Sequence, residues 1–160
     1  ISLLIDKNDN EEVLFFKIYE QDKEFLITSS AGKGFFVNSN DFIASTKSGK
    51  KVMNLKDNDR AVSCAEKKGD LIVSISGEKK SFKLLAFNSS EIPNMQKGRG
   101  VTLQKFKSGK TLNAFCADSN EGIINERSKK VLLSAKDLKK WLGKRAQAGR
   151  IEPKNLHSKI

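Results

Sequence analysis

Apolar and polar residues alternate with a period of two along most of the chain, which is the pattern of β-strands. Leu71, Val73 and Ile75 fall on one face, with Ser74 and Ser76 on the other. The alternation repeats at Phe82, Leu84 and Ala86 after a turn over 77–80. The segment 13–18 is apolar at both alternating sets of positions, which predicts a strand buried on both faces. Other short apolar segments predict strands near 25–30, 35–38, 52–55, 101–106, 112–117 and 131–133. Short strands at this spacing indicate a sandwich, a barrel or a propeller.

One segment has helical spacing instead. Ser134 and Asp137 have the spacing of a capping box, and Leu138, Trp141 and Leu142 then recur at i, i+3 and i+4. This pattern predicts a short helix over about 135–143, with its three apolar residues packed on the protein.

The chain also contains an internal repeat. Within 25–36 and 70–82, Leu26 aligns with Leu71 and Gly32 with Gly77, a shift of 45. Within 46–56 and 96–105, Gly49 aligns with Gly98 and Val52 with Val101, a shift of 49. A third, weaker copy begins near Gly122. Repeats of about this length built from short strands are typical of propeller blades, and chance similarity among β-rich segments is the alternative. The predicted units are 25–69, 70–121 and 122–160, with 1–24 as the remnant of a preceding blade.

Positive charge is concentrated in the second part of the chain. The net charge is +11, of which residues 1–90 carry +1 and residues 91–160 carry +10. A polyanion, most often nucleic acid, is the usual partner of such a distribution. A solvated surface that keeps a small domain soluble is the alternative.

Glycine, lysine and arginine recur together at the same place in each unit. Glycine allows a positive φ and lets backbone N–H groups approach an anion, and lysine and arginine neutralise phosphates. Such loops suit a phosphate backbone better than the reading of bases, and charged hairpin turns are the alternative. The candidate residues are Lys47, Lys50 and Lys51 in the first loop, Lys97, Gly98, Arg99 and Gly100 with the following Lys105 and Lys107 in the second, and Lys144, Arg145 and Arg150 in the third.

Residues that could carry catalysis are scarce. The single histidine, His157, lies in a polar tail, and no P-loop, GxGxxG or HExxH motif occurs. The segment 57–59 contains two aspartates, but a solvated turn is more common there than a cation site. We expect Tyr19 at the rim of the core rather than as a nucleophile.

The cysteines and the hydropathy favour a cytosolic protein without membrane association. Cys64 and Cys116 are isolated in sequence, which predicts two free thiols in a cytosolic protein and neither a zinc site nor a disulfide. No apolar run approaches the length of a membrane span, and no secretory leader opens the chain, so we expect no membrane association.

Three stretches resemble the C-terminal region of the A subunit of bacterial DNA topoisomerase IV and, less closely, that of the gyrase A subunit. They are AGKGFFVNSNDFIASTKSGKKVMNLK (31–56), QKGRGVTLQKFKSG (96–109) and WLGKRAQAGRIEPKN (141–155). The resemblance implies an all-β, propeller-like β-pinwheel of four-stranded blades in which neighbouring blades share hairpin strands. It also implies a basic rim that binds bent duplex DNA. The length implies a partial disc of about three blades, with one short C-terminal helix.

The segment 96–100 falls where gyrase carries a box rich in glutamine, arginine and glycine that is tied to DNA wrapping. Gln96, Gly98, Arg99 and Gly100 match that box, which adds Gln96 to the candidate DNA-binding residues. The segment is shorter and less basic than the gyrase box, which favours topoisomerase IV. The catalytic tyrosine of the family lies N-terminal to this region, so the resemblance implies no catalytic activity in this chain.

The function implied by the resemblance is that of a DNA-binding domain of an ATP-dependent type II topoisomerase, supporting decatenation and supercoil relaxation. ATP and Mg²⁺ are used by the whole enzyme, so no cofactor is expected in this chain. The expected partners are duplex DNA, the A-subunit dimer and the B subunit, with a chromosome-organising protein as a further candidate, in the cytoplasm at the nucleoid. The alternatives are a gyrase-type wrapping domain, a propeller that docks an acidic protein, and an RNA-binding module.

Overall fold

A computed structural model of the chain describes residues 10–78, 81–125, 127–153 and 156–160. Ten strands and one short α-helix lie within these ranges. They are β1 (Glu24–Ser29), β2 (Lys33–Asn38), β3 (Ala61–Glu66), β4 (Leu71–Glu78), β5 (Ser81–Asn88), β6 (Val101–Thr102), β7 (Lys110–Ala117), β8 (Ile123–Ile124), β9 (Val131–Leu133), α1 (Ala135–Leu138) and β10 (Arg150–Ile151).

The strands form two four-stranded antiparallel sheets, in the orders β3-β1-β2-β6 and β10-β5-β4-β7. The strands β8 and β9 pair only with each other among the described residues. Each large sheet has a hairpin at its centre, and its two flanking strands are those that precede and follow the next hairpin along the chain. The strands β3 and β6 precede and follow the hairpin β4–β5, and β7 and β10 precede and follow β8–β9. Each large sheet therefore takes its edge strands from either side of the next hairpin. The predicted all-β, propeller-like fold is confirmed.

The internal repeat is visible in the details of the two hairpins. The pairing register shifts by one residue after Thr28 of β1 and after Ile75 of β4, because β3 and β7 each carry one extra residue opposite these points, Val62 and Leu112. Asn38 and Asn88 each end the second strand and cap a 3₁₀ turn. The first strand thus repeats at a shift of 47 and the second at 50. The shift of 45 taken from the sequence is wrong, because it aligned two glycines of which one lies in a turn and the other inside β4.

Successive residues of a strand point to opposite faces of its sheet, and both faces of β4 carry buried apolar side chains. Leu71, Val73 and Ile75 share one face, as predicted, and pack towards the third unit. The intervening Ile72 faces the first sheet and contacts its core. Along the edge opposite β6 and β10, the strands β3 and β7 pack against each other. The row of sheets therefore has an inner edge at β3 and β7 and an outer edge at β6 and β10.

Three predicted strands are wholly or partly wrong. Residues 13–18 form no strand, and Phe16 is 88% and Ile18 85% exposed. Alternation identifies the faces of a strand but not its partner, and no described strand pairs with this segment. In 52–55, only Met53 forms a bridge, to Gly98. In 101–106 only Val101–Thr102 is a strand, because its partner β2 begins opposite Thr102 and the Lys105 N–H donates instead to the Gln147 carbonyl. Residues 1–9 of the predicted blade remnant lie outside the described residues.

The predicted helix is present but shorter, since α1 passes into a 3₁₀ turn over Lys139–Trp141. Ser134 caps it as predicted, because its Oγ accepts a hydrogen bond from the Asp137 N–H at 3.1 Å. Leu138 is buried and Trp141 packs beside it, whereas Leu142 is 44% exposed. The prediction for Leu142 is wrong because the tighter 3₁₀ turn and the extended backbone that follows turn it away from that face.

Candidate nucleic-acid interface

Three loops rich in lysine and arginine follow the outer edge of the sheets: loop I (46–54), loop II (96–105) and loop III (143–150). Loop II starts after a bridge between Asn94 and Phe36 and runs into β6, which pairs with β2. Loop III starts after a bridge between Leu142 and Ala86 and runs into β10, which pairs with β5. Both loops therefore take the same route along the second strand of the preceding hairpin.

Backbone hydrogen bonds join each loop to the next. The Gly98 N–H donates to the Val52 carbonyl at 3.0 Å, and the Asn54 N–H donates to the Gly98 carbonyl at 2.8 Å. In the same way, the Lys105 N–H donates to the Gln147 carbonyl at 3.0 Å. The three loops consequently form one continuous strip, which we call the basic strip.

Most of the candidate residues expose their side chains on the basic strip. None of these exposed candidate cations forms an ion pair with another described residue. The described lysines that do form ion pairs with carboxylates lie outside the strip, at Lys23, Lys67, Lys68 and Lys140. The strip therefore keeps positive charge that no neighbouring carboxylate neutralises. The exposed candidates are Lys47, Lys50, Lys51, Gln96, Lys97, Arg99, Lys105, Lys144 and Arg150 on the strip and Lys107 just beyond loop II, and the half-buried ones are Gly98, Gly100 and Arg145.

The glycines of the strip serve the packing of the loops. The Gly98 N–H is taken by Val52, so this amide is occupied by the neighbouring loop. Gly149 has a φ of 73°, and a Cβ there would stand 2.4 Å from the Leu84 carbonyl oxygen. Glycine at this position lets loop III approach the backbone of β5.

Arg145 differs from the other candidate cations because its guanidinium is engaged. Its Nη1 donates to the Thr102 carbonyl at 2.9 Å, and its backbone N–H donates to the Glu91 carboxylate at 3.0 Å. Arg145 thus links loop III to β6 and to the turn before loop II. Nothing in the local sequence signals this contact, because its partners lie 43 and 54 residues away.

Sequence reasoning also missed Gln104, which is 1% exposed. Its Nε2 donates to the Lys83 carbonyl at 3.2 Å and to the Ala148 carbonyl at 2.9 Å. The only signal was a polar residue directly after the apolar Leu103, which by itself indicates no partner.

The other chemically notable groups lie in structural contacts. His157 Nδ1 contacts the Glu152 carboxylate, and its ring packs against the Phe82 ring with the two ring centroids 4.3 Å apart and the planes tilted by 45°. The Tyr19 hydroxyl donates to Asn40 at 2.6 Å. Among the residues that the structure describes, no group of three or more His, Cys, Asp or Glu side chains is arranged to hold a metal ion.

The two cysteines are unpaired thiols on the inner strands β3 and β7. Burial raises the pKa of the Cys64 thiol and of the Cys116 thiol, which lowers the fraction of reactive thiolate. The helical segments in the described ranges are all too short to cross a lipid bilayer.

Comparison with known proteins identifies relatives of both the sequence and the fold. The family model described as DNA gyrase C-terminal domain, beta-propeller, matches residues 23–65 and 86–115. The A subunit of DNA topoisomerase 4 from Rickettsia felis is 42% identical over 157 residues, which are 98% of this chain and 21% of that protein. The chain therefore spans about a fifth of the length of the curated relatives it matches.

Solved structures show the same architecture. The E. coli ParC C-terminal domain superposes with a TM-score of 0.78 at 20% identity, covering 97% of this chain and 65% of that one. A DNA gyrase A C-terminal domain superposes with a TM-score of 0.69 at 25% identity, covering 96% of this chain and 53% of that one. Sequence and fold agree with the resemblance found in the sequence: the chain is a homologue of the C-terminal β-propeller domain of the topoisomerase IV and gyrase A subunits.

Proposed function

We propose that this chain is a DNA-binding domain that holds bent duplex DNA along the basic strip. The observation that carries the proposal is the continuity of the strip: three loops joined by hydrogen bonds, with exposed cations that form no ion pairs within the described residues. Each phosphate neutralised by lysine or arginine releases counterions, which favours binding without reading the bases. Because the strip follows the outer edge of successive sheets, a duplex that contacts all three loops would follow the course of that edge.

In the whole protein, this domain would serve a type II topoisomerase of the topoisomerase IV kind. It would hold the duplex while other parts of the enzyme cleave DNA and use ATP and Mg²⁺, and so support decatenation and supercoil relaxation. The A-subunit dimer, the B subunit and a chromosome-organising protein are the protein partners of this proposal, and the nucleoid in the cytoplasm is its location.

A fluorescence anisotropy titration with duplex DNA, single-stranded DNA and RNA at several salt concentrations tests the proposal. We expect duplex DNA to bind best, with little preference for base sequence. The slope of log K against log salt is about −0.9 for each phosphate contacted, so six contacts give a slope of about −5. A flat salt dependence or a strong preference for one base sequence would defeat the proposal.

The same titration distinguishes the alternatives. An RNA-binding module would prefer RNA, and a propeller that docks an acidic protein would bind DNA weakly at every salt concentration. A gyrase-type domain would also wrap DNA with a fixed hand and change the linking number of a relaxed plasmid closed in its presence. We expect at most a small change, because the segment 96–100 is shorter and less basic than the gyrase box.

A further inference from the structure

Gln104 ties two loops of the basic strip to each other and to the neighbouring strand β5. The preceding residue, Leu103, is part of the core between the two large sheets, and Gln104 is itself 1% exposed. Its single amide nitrogen donates to carbonyl groups on two other segments, Lys83 of β5 and Ala148 of loop III. Loop II, β5 and loop III are therefore fixed to one another through this side chain.

Loop III has a backbone that needs such support. Ala146 has a φ of 65°, which an alanine rarely adopts, and its N–H donates to the Leu103 carbonyl at 2.8 Å. At Gly149, a Cβ would stand 3.0 Å from the Gln104 Nε2. The conformation of loop III is thus set by its contacts with Leu103 and Gln104, and a loop freed from them would relax to other conformations.

We propose that Gln104 is a positioning residue for the phosphate backbone. It does not reach the ligand, since it is buried, but its amide sets the course of loop III. Lys144 and Arg150 then continue the row of exposed cations that Lys97 and Arg99 begin in loop II. This inference rests on the proposed function, because the row of cations is the site that Gln104 organises.

The test is the substitution Gln104→Leu, which keeps the volume, removes the amide and leaves the net charge unchanged. We expect duplex DNA affinity at fixed salt to fall about five- to tenfold, and the salt slope to become shallower by about two contacts, those of Lys144 and Arg150. Gln21→Leu, at an exposed glutamine outside the strip, is the matched control and should change neither quantity. If Gln104 is only structural, the melting temperature falls while affinity and slope of the folded protein stay unchanged, and the proposal is overturned.

Two further variants control for misfolding and for the residues through which Gln104 acts. Gln104→Met packs with a flexible side chain and replaces Gln104→Leu if the latter does not fold, with the same expected loss. In a Lys144→Gln/Arg150→Gln background, Gln104→Leu should cause no further loss, because the residues through which it acts are already neutral. Additive losses, or no effect of the double change itself, would overturn the positioning role. Absence of salt-dependent duplex binding in the unmodified chain would instead overturn the proposed function.

Discussion

Gly100 lies directly against the backbone of Gly34, so that a Cβ at position 100 would stand 2.4 Å from the Gly34 carbonyl oxygen. Gly100 also has a φ of 75°, in the left-handed region. Position 100 therefore requires glycine for two separate reasons, the backbone conformation and the space beside β2. The contact lies where loop II turns into β6, and so it anchors the middle of the basic strip to the first hairpin.

Gly100→Ala should lower the free energy of unfolding by about 3 kcal/mol, combining the left-handed conformation and the steric overlap. Gly49→Ala is the matched control, because Gly49 has a φ of 77° but no atom within 4 Å of its added Cβ. We expect a loss of about 1 kcal/mol there, from conformation alone. Urea unfolding curves measure both values, and equal losses would show that the Gly34 contact adds nothing.

Neutralising cations of loop II should weaken duplex binding more than neutralising cations outside the strip. In the variant Lys97→Gln/Arg99→Gln, we expect the salt slope to fall by about two contacts. The control is Lys17→Gln/Lys23→Gln, since Lys17 lies over the Phe25 ring and Lys23 is paired with two glutamates. Melting temperatures should hardly change for either pair, because exposed charges contribute little to stability. Equal losses of affinity would mean that net charge alone attracts DNA.

Asp59 should stabilise the fold in a pH-dependent way. Burial raises the pKa of its carboxyl group, but hydrogen bonds from Ser30, Ala31 and Arg60 outweigh burial, so the pKa lies below its ordinary 3.8. Since the folded state holds the carboxylate more tightly than the unfolded state, the stabilisation is present above pH 3.8 and is lost as the pH falls through the lowered value.

We therefore expect Asp59→Ala to cost about 1.5–3 kcal/mol at pH 7, and the difference from the unmodified chain to shrink below pH 3.8. Asp57→Ala, at an exposed aspartate of the same turn, should have little effect at any pH. Guanidinium unfolding at pH 7 and near pH 3 measures the differences. A constant difference across this range would contradict the role of the carboxylate.

Trp141 should contribute both packing and a hydrogen bond. It packs against the buried cluster that contains Leu138, and it donates from Nε1 to the Ile151 carbonyl at 2.8 Å. Trp141→Ala should cost about 2–3 kcal/mol, less than a fully buried tryptophan, and Trp141→Phe about 1 kcal/mol for the lost hydrogen bond. Leu142→Ala should cost much less, since Leu142 is 44% exposed. A thermal melt of each variant is sufficient, and a larger loss at Leu142 than at Trp141 would contradict this packing.

Phe16 should add to self-association rather than to stability. It is 88% exposed, within an apolar segment that pairs with no described strand, and such segments promote aggregation. Phe16→Ser should change the free energy of unfolding by less than about 0.5 kcal/mol and reduce light scattering at high protein concentration. By contrast, Phe35→Ser empties a fully buried position and should cost more than about 3 kcal/mol. An unchanged scattering signal for Phe16→Ser would show that this segment does not mediate self-association.

Sequence reasoning succeeded where structure depends on neighbours along the chain. The hairpin β4–β5 follows from the alternation at Leu71, Val73 and Ile75, and the helix start follows from Ser134 and Asp137, because these signals are local. The same alternation at 13–18 was misleading, since burial of a strand depends on a partner that the pattern does not specify.

The sequence predicted which charged residues lie exposed on the strip, but not the contacts that align its loops. The exposure of Arg99 and Lys97 follows from a charged, glycine-rich segment. The contacts that align the loops join residues far apart, such as Gln104 with Ala148 and Arg145 with Thr102. Periodicity and motif spacing carry no information about such pairs, so the residues that organise the strip could not be distinguished from those exposed on it.

Exchange of strands between units has a consequence for how this repeat protein unfolds. In most repeat arrays each unit contacts only its neighbours as a closed module, so that terminal units can unravel while the rest stays folded. Here the sheet built on the hairpin β1–β2 loses both of its edges if the segment around β4–β5 opens, because β3 and β6 flank that hairpin along the chain. Interlacing of this kind should make unfolding a single cooperative event, because a large sheet cannot keep its edge strands once the next hairpin along the chain opens.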